Sequence, residues 1–225
     1  MNKMTSRIVE SILEIQKETP VLVCIDGVDG AGKTYFAKRL TNELKSVSHN
    51  VILCSVDNFH NTQDIRYQKG KDSDVGFYED SYNYPKLISN LLMPFKMGTG
   101  VYIDSIFDVD KNTPNISRAK EVSMDSILIL EGIFLQRPEL SNFWDLRIFL
   151  DVNFETILNR NINRQINKSR IGLKEEIILR YKMRYIPGQK LYFKQADPKE
   201  NANIVIDNSD YNKPIITKYK ASNNS

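Results

Sequence analysis

Unbroken apolar runs recur along the chain, and most of them close on a polar residue. Residues 21–26 end on Asp26, and residues 51–56 are followed at once by Asp57. Residues 127–130 run into Glu131 and Gly132, residues 146–152 run into Asn153, and residues 204–206 form a last short run. Runs of this length, rich in Val, Ile and Leu, are the pattern of strands covered on both faces, as in a parallel sheet. Between them the apolar positions return every three or four residues. Ile8, Ile12 and Ile15 predict a helix over 4–18 that Pro20 ends, and Phe36, Ala37, Leu40 and Leu44 predict one over 33–47. Residues 84–97 predict a third, with Leu87, Leu91 and Leu92 inward and Pro94 bending or ending it. Asn153 is placed to cap a following helix, and residues 173–192 are mostly helical with an interruption near Pro187-Gly188. Residues 101–109 and 121–124 read as shorter, more polar strands around a loop at Pro114, and the polar tail 221–225 is expected to be disordered. There is no internal repeat and no long linker. Strands alternating with helices imply one α/β domain over 1–220. Its expected form is a doubly wound parallel sheet of about five strands, with helices on both faces and ligands at the carboxyl ends of the strands.

The first run leads into Gly27-Val28-Asp29-Gly30-Ala31-Gly32-Lys33-Thr34, which matches G-x-x-x-x-G-K-[ST] between a strand and a helix. That context argues against an accidental Gly-rich turn and points to a P-loop NTPase. Glycines let the loop turn its N–H groups inward to phosphate oxygens, and the helix N-terminus adds partial positive charge. Lys33 would neutralise the outer phosphates of ATP, and Thr34 would offer its hydroxyl to Mg²⁺. A regulatory GTPase would also carry an Asn-Lys-x-Asp segment, which this chain lacks.

Polar residues at the other strand ends are then the ones to weigh. Asp57 could accept or align the proton of a hydroxyl that receives a phosphoryl group, or be an N-cap or loop acid. Glu131 could sit beside Mg²⁺, with Thr34, or make a structural hydrogen bond. His60 reads as a loop or pocket residue. No nucleophile stands beside it, and two histidines in all make a zinc site a poor fit. Arg160 and Arg164 are four apart on a predicted helix and so share a side, a spacing that Arg180 and Arg184 repeat. Arg160, Arg164 and Arg170 are candidates for an Arg-rich helical lid over ATP, about 160–194, that steadies the migrating phosphoryl group and excludes water. About half of the basic residues there are expected only to pair with surface acids.

Composition narrows the class further. Of 225 residues, 41% are apolar and 26% charged, which is ordinary for a globular chain. No apolar run is long enough to span a membrane, and the first residues lack a signal-peptide core, so a cytoplasmic location is expected. Cys24 and Cys54 each lie within an apolar run and read as small buried hydrophobes. Residues 160–194 hold ten Lys/Arg and two acids, a charge of +8, which leaves −5 for the rest of a chain whose net charge is +3. A concentrated anion, nucleic acid or polyphosphate, fits such a block, as does a solvated helix face. The chain lacks basic residues interleaved with stacking aromatics, so no nucleic-acid partner is expected.

Taken in order, residues 25–34, 56–60, 76–82, 130–135, 144–151, Arg160 with Arg164, 184–192 and 207–208 resemble the uridine kinase family of P-loop kinases, especially its bacterial uridine-kinase-like members. The likeness spans roughly residues 20 to 210. It implies ATP- and Mg²⁺-dependent phosphorylation of a hydroxyl, typically the ribose 5′-OH of a pyrimidine nucleoside such as uridine or cytidine. Asp57 matches the family's acid beside that hydroxyl, Asp80 an acid that holds the sugar hydroxyls, and Glu131 the acid on the Mg²⁺ side. Arg160 and Arg164 match the lid, and Phe107-Asp108 an aromatic-Asp pair at the base pocket. His60 and Arg170 complete the expected acceptor side. Asp110, Lys111 and Asn112 stand where a pyrimidine-reading histidine is found in well-known members. The P-loop start also resembles thymidylate kinases, but Asp57-Asn58-Phe59-His60 departs from their Asp-Arg-aromatic segment. Pantothenate kinase and phosphoribulokinase share the superfamily. The non-enzyme alternative is a nucleotide-dependent binding or switch protein. A degenerate, non-catalytic member is disfavoured by Lys33, Thr34, Asp57 and Glu131. The expected partner is a small-molecule acceptor, with no membrane, and a homo-oligomer is left open.

Overall fold

The computed structural model describes residues 3–15, 18–48, 50–167 and 174–220. The expected tail at 221–225 lies outside them. Six strands form one sheet: β1 (Val21–Gly27), β2 (Val51–Ser55), β3 (Ile127–Glu131), β4 (Leu146–Asp151), β5 (Ile204–Asp207) and β6 (Ile215–Tyr219), in the order β6-β5-β4-β1-β3-β2. The first five are mutually parallel, and β6 pairs antiparallel with β5. The parallel core matches the apolar runs. β6 adds a sixth strand that no run announces, because its residues are only partly covered at the sheet edge.

Alternation along each strand explains the two covered faces. Val23, Ile25, Ile129 and Ile148 pack with Ile8 and Ile12 of helix α1 (Lys3–Leu13) and Leu40 and Leu44 of helix α2 (Lys33–Lys45). Leu22, Cys24, Leu128 and Leu130 face the other way, onto Leu91, Phe95, Phe134 and Tyr192. Both cysteines are buried and free. Among the described residues no helix is long and apolar enough to cross a membrane.

The two helix interruptions expected at proline take another form. Residues Tyr84–Leu87 pass through a π-turn at Ile88–Leu92 and continue as Met93–Met97, with Pro94 in the first turn after it. Helix α3 (Asp74–Asp80) precedes that segment. Helices α4 (Phe154–Asn167) and α5 (Lys174–Arg180) come next. A second π-turn at Tyr181–Tyr185 then leads to helix α6 (Ile186–Ala196), again with proline, Pro187, in its first turn. A wide turn re-spaces the hydrogen bonds just where the ring removes a donor, so the rod continues. The chain between 101 and 121 is less regular than expected. Val101–Tyr102 pairs with Lys120–Glu121 and Phe107–Asp108 with Thr113–Pro114, so Pro114 lies in a short strand and not in the loop. Asn153 does cap α4, its Oδ1 accepting from the Thr156 N–H at 2.8 Å.

Candidate active site

Parallel strands bring their carboxyl ends to one edge, so the sheet gathers the loop after β1, Asp57 after β2 and Glu131 at the end of β3. The loop after β1 turns through two left-handed glycines, Gly30 (φ 76°) and Gly32 (φ 91°). Space forbids side chains there as well. A Cβ on Gly30 would lie 2.4 Å from Asn161 Nδ2, and one on Gly32 would lie 2.8 Å from the Tyr211 ring. Lys33 follows, 8% exposed, and donates from Nζ to the Val28 carbonyl at 2.8 Å. A nearly buried cation whose hydrogen bond goes to a carbonyl of its own loop is prepared for an anion.

Thr34 donates from its hydroxyl to Glu131 Oε1 at 3.2 Å. Burial pushes the Glu131 carboxyl above its ordinary range; the Lys33 charge pulls it back and the Asp57 charge pushes it further up. Asp57 sits in a 3₁₀ turn over Val56–Phe59 whose cap is Ser55, so the capping role belongs to its neighbour. The Asp57 side chain is 60% exposed and accepts a hydrogen bond at Oδ1 from the Tyr82 hydroxyl at 3.0 Å. Lys33, Thr34, Asp57, Tyr82, Glu131 and Arg160 all line one cavity of ≈ 380 Å³. Glycines whose Cβ would collide, an enclosed lysine and a hydroxyl–carboxylate pair fit the phosphates of a nucleotide and a divalent cation.

Helix α6 and the turn before it are bonded to the loop. The Asp29 N–H donates to Gln189 Oε1 at 2.7 Å, and the Tyr181 hydroxyl donates to the Asp29 carboxylate. Beneath, the fully buried Asp26 accepts from the Gly27 N–H at 2.7 Å, from Gln136 Nε2 at 3.2 Å and from the Tyr192 hydroxyl. Burial raises the Asp26 carboxyl despite those donors. Thus the described part of the expected lid after residue 174 is a wall tied to the phosphate loop.

The arginines divide. Arg160 reaches the cavity but is held there, donating to the carbonyls of Asn208 (2.8 Å) and Ser209 (2.9 Å) and lying 3.6 Å from the Tyr211 ring centroid. Arg164 lies one turn further along α4, its side chain outside the described residues, and Arg170 also lies outside them. Arg184 is buried and donates to the carbonyls of Arg66, Gly70 and Ser73, holding the loop before α3. Arg180 pairs with Glu176 at 3.6 Å, as a bystander would.

On the acceptor side the residues are less gathered. His60 Nδ1 is 2.8 Å from the Asp57 carbonyl oxygen, and its ring lies 4.5 Å from that of Tyr82. Burial lowers its imidazole below the ordinary value, against the pull of Asp57. Asp80 does not line the cavity; its carboxylate is paired with Lys69 at 2.7 Å. Phe107 is buried in the core beside the Asp57 turn, and Asp108 closes a local turn by accepting from the N–H groups of Asp110 and Lys111. Asn112 Oδ1 accepts from Arg66 at 3.1 Å and from the Gln63 N–H at 3.2 Å. Tyr82, Asn161, Asn208, Tyr211, Gln189 and Tyr181 were not foreseen as site residues. Of these, Tyr82, Gln189 and Asn208 lay in stretches with a recognisable pattern. The others reach the loop from α4, the second π-turn and the segment after β5, across separations that no local motif encodes.

Residues 22–211 match the Phosphoribulokinase / Uridine kinase family. The uridine kinase of Ligilactobacillus salivarius (strain UCC118) is 25% identical over 210 residues, which cover 89% of this chain and 91% of that one. The structure of a possible uridine kinase from Bacillus stearothermophilus superposes with a TM-score of 0.69 at 21% identity, over 89% of this chain and 96% of that one. Phosphoribulokinase from Rhodobacter spheroides superposes with a TM-score of 0.58 at 13% identity, over 85% and 71% of the two chains.

Proposed function

Because the chain belongs to the Phosphoribulokinase / Uridine kinase family, and so is a P-loop small-molecule kinase that transfers phosphate from ATP to a hydroxyl, we propose that its acceptor is a nucleoside and that it phosphorylates the 5′-OH of uridine or cytidine. The observation that carries this reading is the placement of Asp57. Its carboxylate, half in solvent and held by Tyr82, lines the same cavity as Lys33 and Thr34.

Each residue then has a physical role. The N–H groups of 30–34 and the Lys33 ammonium hold the phosphates and neutralise charge that spreads over the migrating group. Asp57 aligns the incoming hydroxyl and accepts its proton, while Tyr82 fixes the carboxylate that does so. Thr34 and Glu131 would hold Mg²⁺, which when bound supplies further neutralisation of phosphate oxygens. Arg164, and Arg170 beyond it, are proposed to cover the phosphates from the lid. Arg160 is held by carbonyls at the cavity rim. Gln189 and Tyr181 keep Asp29, and with it the loop, in one conformation before ATP arrives, which lowers the reorganisation needed on binding.

ADP release measured with Mg²⁺-ATP across nucleosides, nucleoside monophosphates, pantothenate and sugars tests this. Turnover with uridine or cytidine, and little without an acceptor, is expected. Activity confined to monophosphates would move the chain toward thymidylate-type chemistry and contradict the nucleoside reading.

A further inference from the structure

Asp26 is a wholly buried carboxyl at the foot of the phosphate loop. Its three donors are neutral and come from three segments: the Gly27 N–H of the loop, Gln136 Nε2 after β3, and the Tyr192 hydroxyl of α6. A carboxyl taken out of water is costly unless its oxygens are bonded. Here those bonds join the loop to its two neighbours. The joint is braced in turn. The Tyr192 hydroxyl accepts from the Gln136 N–H at 2.9 Å, and Gln136 Nε2 also donates to the Pro198 carbonyl at 3.0 Å. The Tyr192 ring meets the Phe134 ring edge-on at 5.2 Å. One residue before Asp26, the Ile25 carbonyl accepts from the N–H of Gly132, the neighbour of Glu131, at 3.1 Å.

Helix α6 grips the loop at two points. Gln189 and Tyr192 are three residues apart and so share a face of the helix. Gln189 Oε1 takes the Asp29 N–H at 2.7 Å, and Tyr192 reaches Asp26, so the two points on the loop are also three residues apart. The Gln189 side chain is aimed by its own bond, from Nε2 to the Tyr185 carbonyl at 2.8 Å. Between the two points lies Val28, whose carbonyl holds Lys33 Nζ at 2.8 Å. The placement of the lysine therefore depends on a stretch of backbone fixed at both ends to one helix.

We propose that Tyr192 and Asp26 are positioning residues for phosphate binding: Tyr192, acting through Asp26, fixes the foot of the loop so that its N–H groups and Lys33 are in place before ATP arrives. This rests on the ATP-dependent kinase reading and extends it to two side chains outside the cavity lining. A loop already held in its bound form loses less freedom on binding, so phosphate affinity depends on the bond that holds it.

Isothermal titration of the wild type, Tyr192→Phe, Asp26→Asn and the double variant with Mg²⁺-ATP and, separately, with inorganic tripolyphosphate tests this, at a temperature well below each melting point. Tyr192→Phe keeps the ring and removes the hydroxyl. It is expected to weaken both ligands by about fivefold or more, while steady-state kinetics show kcat at saturating ATP and the acceptor KM within about twofold of the wild type. In the Asp26→Asn background the same change should weaken them by less than about twofold, because the two side chains act as a unit. Should Asp26→Asn not fold, the Tyr192→Phe measurements decide alone. Unchanged ligand affinity in Tyr192→Phe, whatever its melting temperature, would show a merely structural hydroxyl and overturn the proposal. A loss confined to ATP, or an equal loss in the Asp26→Asn background, would also overturn it. A wild type that binds neither ligand would instead overturn the P-loop reading, and the positioning role with it.

Discussion

Gly32 has two reasons to be glycine, and they can be read separately. Its φ of 91° disfavours any L side chain, and a Cβ would press on Tyr211 at 2.8 Å and on Asn208 Nδ2 at 2.9 Å. Strain of this kind costs about 1–3 kcal/mol. Gly32→Ala should therefore lower the melting temperature by several degrees and weaken ATP binding at least about tenfold, measured by thermal unfolding and titration. Normal values for both would show that the loop yields easily. At the Tyr82 hydroxyl, Tyr82→Phe removes the 3.0 Å donor to the Asp57 carboxylate. It should reduce kcat several-fold with little change in KM for ATP, as steady-state kinetics would show; a change in KM alone would place Tyr82 on the nucleotide. What spacing made legible is the gathering of Lys33, Thr34, Asp57 and Glu131 around one cavity. Asp80 shows the limit. The resemblance assigns it the sugar hydroxyls, the structure pairs it with Lys69 at 2.7 Å outside the cavity lining, and no sequence spacing foretells which nearby cation claims a carboxylate.

At the scale of elements, the five parallel strands were legible because burial on both faces leaves little room for polar residues. β6 was not, because an edge strand with partly exposed side chains carries no such run. The prolines mark interruptions of a form that the sequence does not specify. A missing donor implies a break, but the π-turns at Ile88–Leu92 and Tyr181–Tyr185 absorb it one turn earlier. What α6 gains from continuing is contact with α3. A Cβ on Gly188 would lie 2.8 Å from the Asp74 carbonyl and from the Phe77 ring. Gly188→Val should cost about 1–3 kcal/mol by overpacking, read from chemical denaturation. Gln189 is the next residue and bonds the Asp29 N–H, so ATP affinity should fall with it. Lost stability with unchanged affinity would show that α6 does not support the loop.

For the whole molecule, the fold places two buried carboxyls, Asp26 and Glu131, directly under the phosphate cavity, and burial raises both. The sign follows from linkage. A carboxyl with a folded pKa above its unfolded value favours the fold fully at pH below the unfolded value, and loses that contribution as pH rises through the folded value. The contribution of these two carboxyls should therefore fall as pH climbs from the ordinary carboxylate range upward. Asp26→Asn should flatten that slope by up to about 1.4 kcal/mol per pH unit, one proton's worth. Denaturation midpoints across pH would check this, and an unaltered slope would contradict it. The carbonyl-bound Arg160 and the Tyr181 and Gln189 contacts make the basic segment in part a structural wall beside the phosphate loop.

The central claim, that Asp57 serves the acceptor hydroxyl while the loop at 27–34 holds ATP, is tested most directly by Asp57→Asn. With uridine or cytidine as acceptor, kcat should fall by about a hundredfold or more, while titration shows ATP bound as tightly as in the wild type. Near-normal turnover with that acceptor would contradict the account.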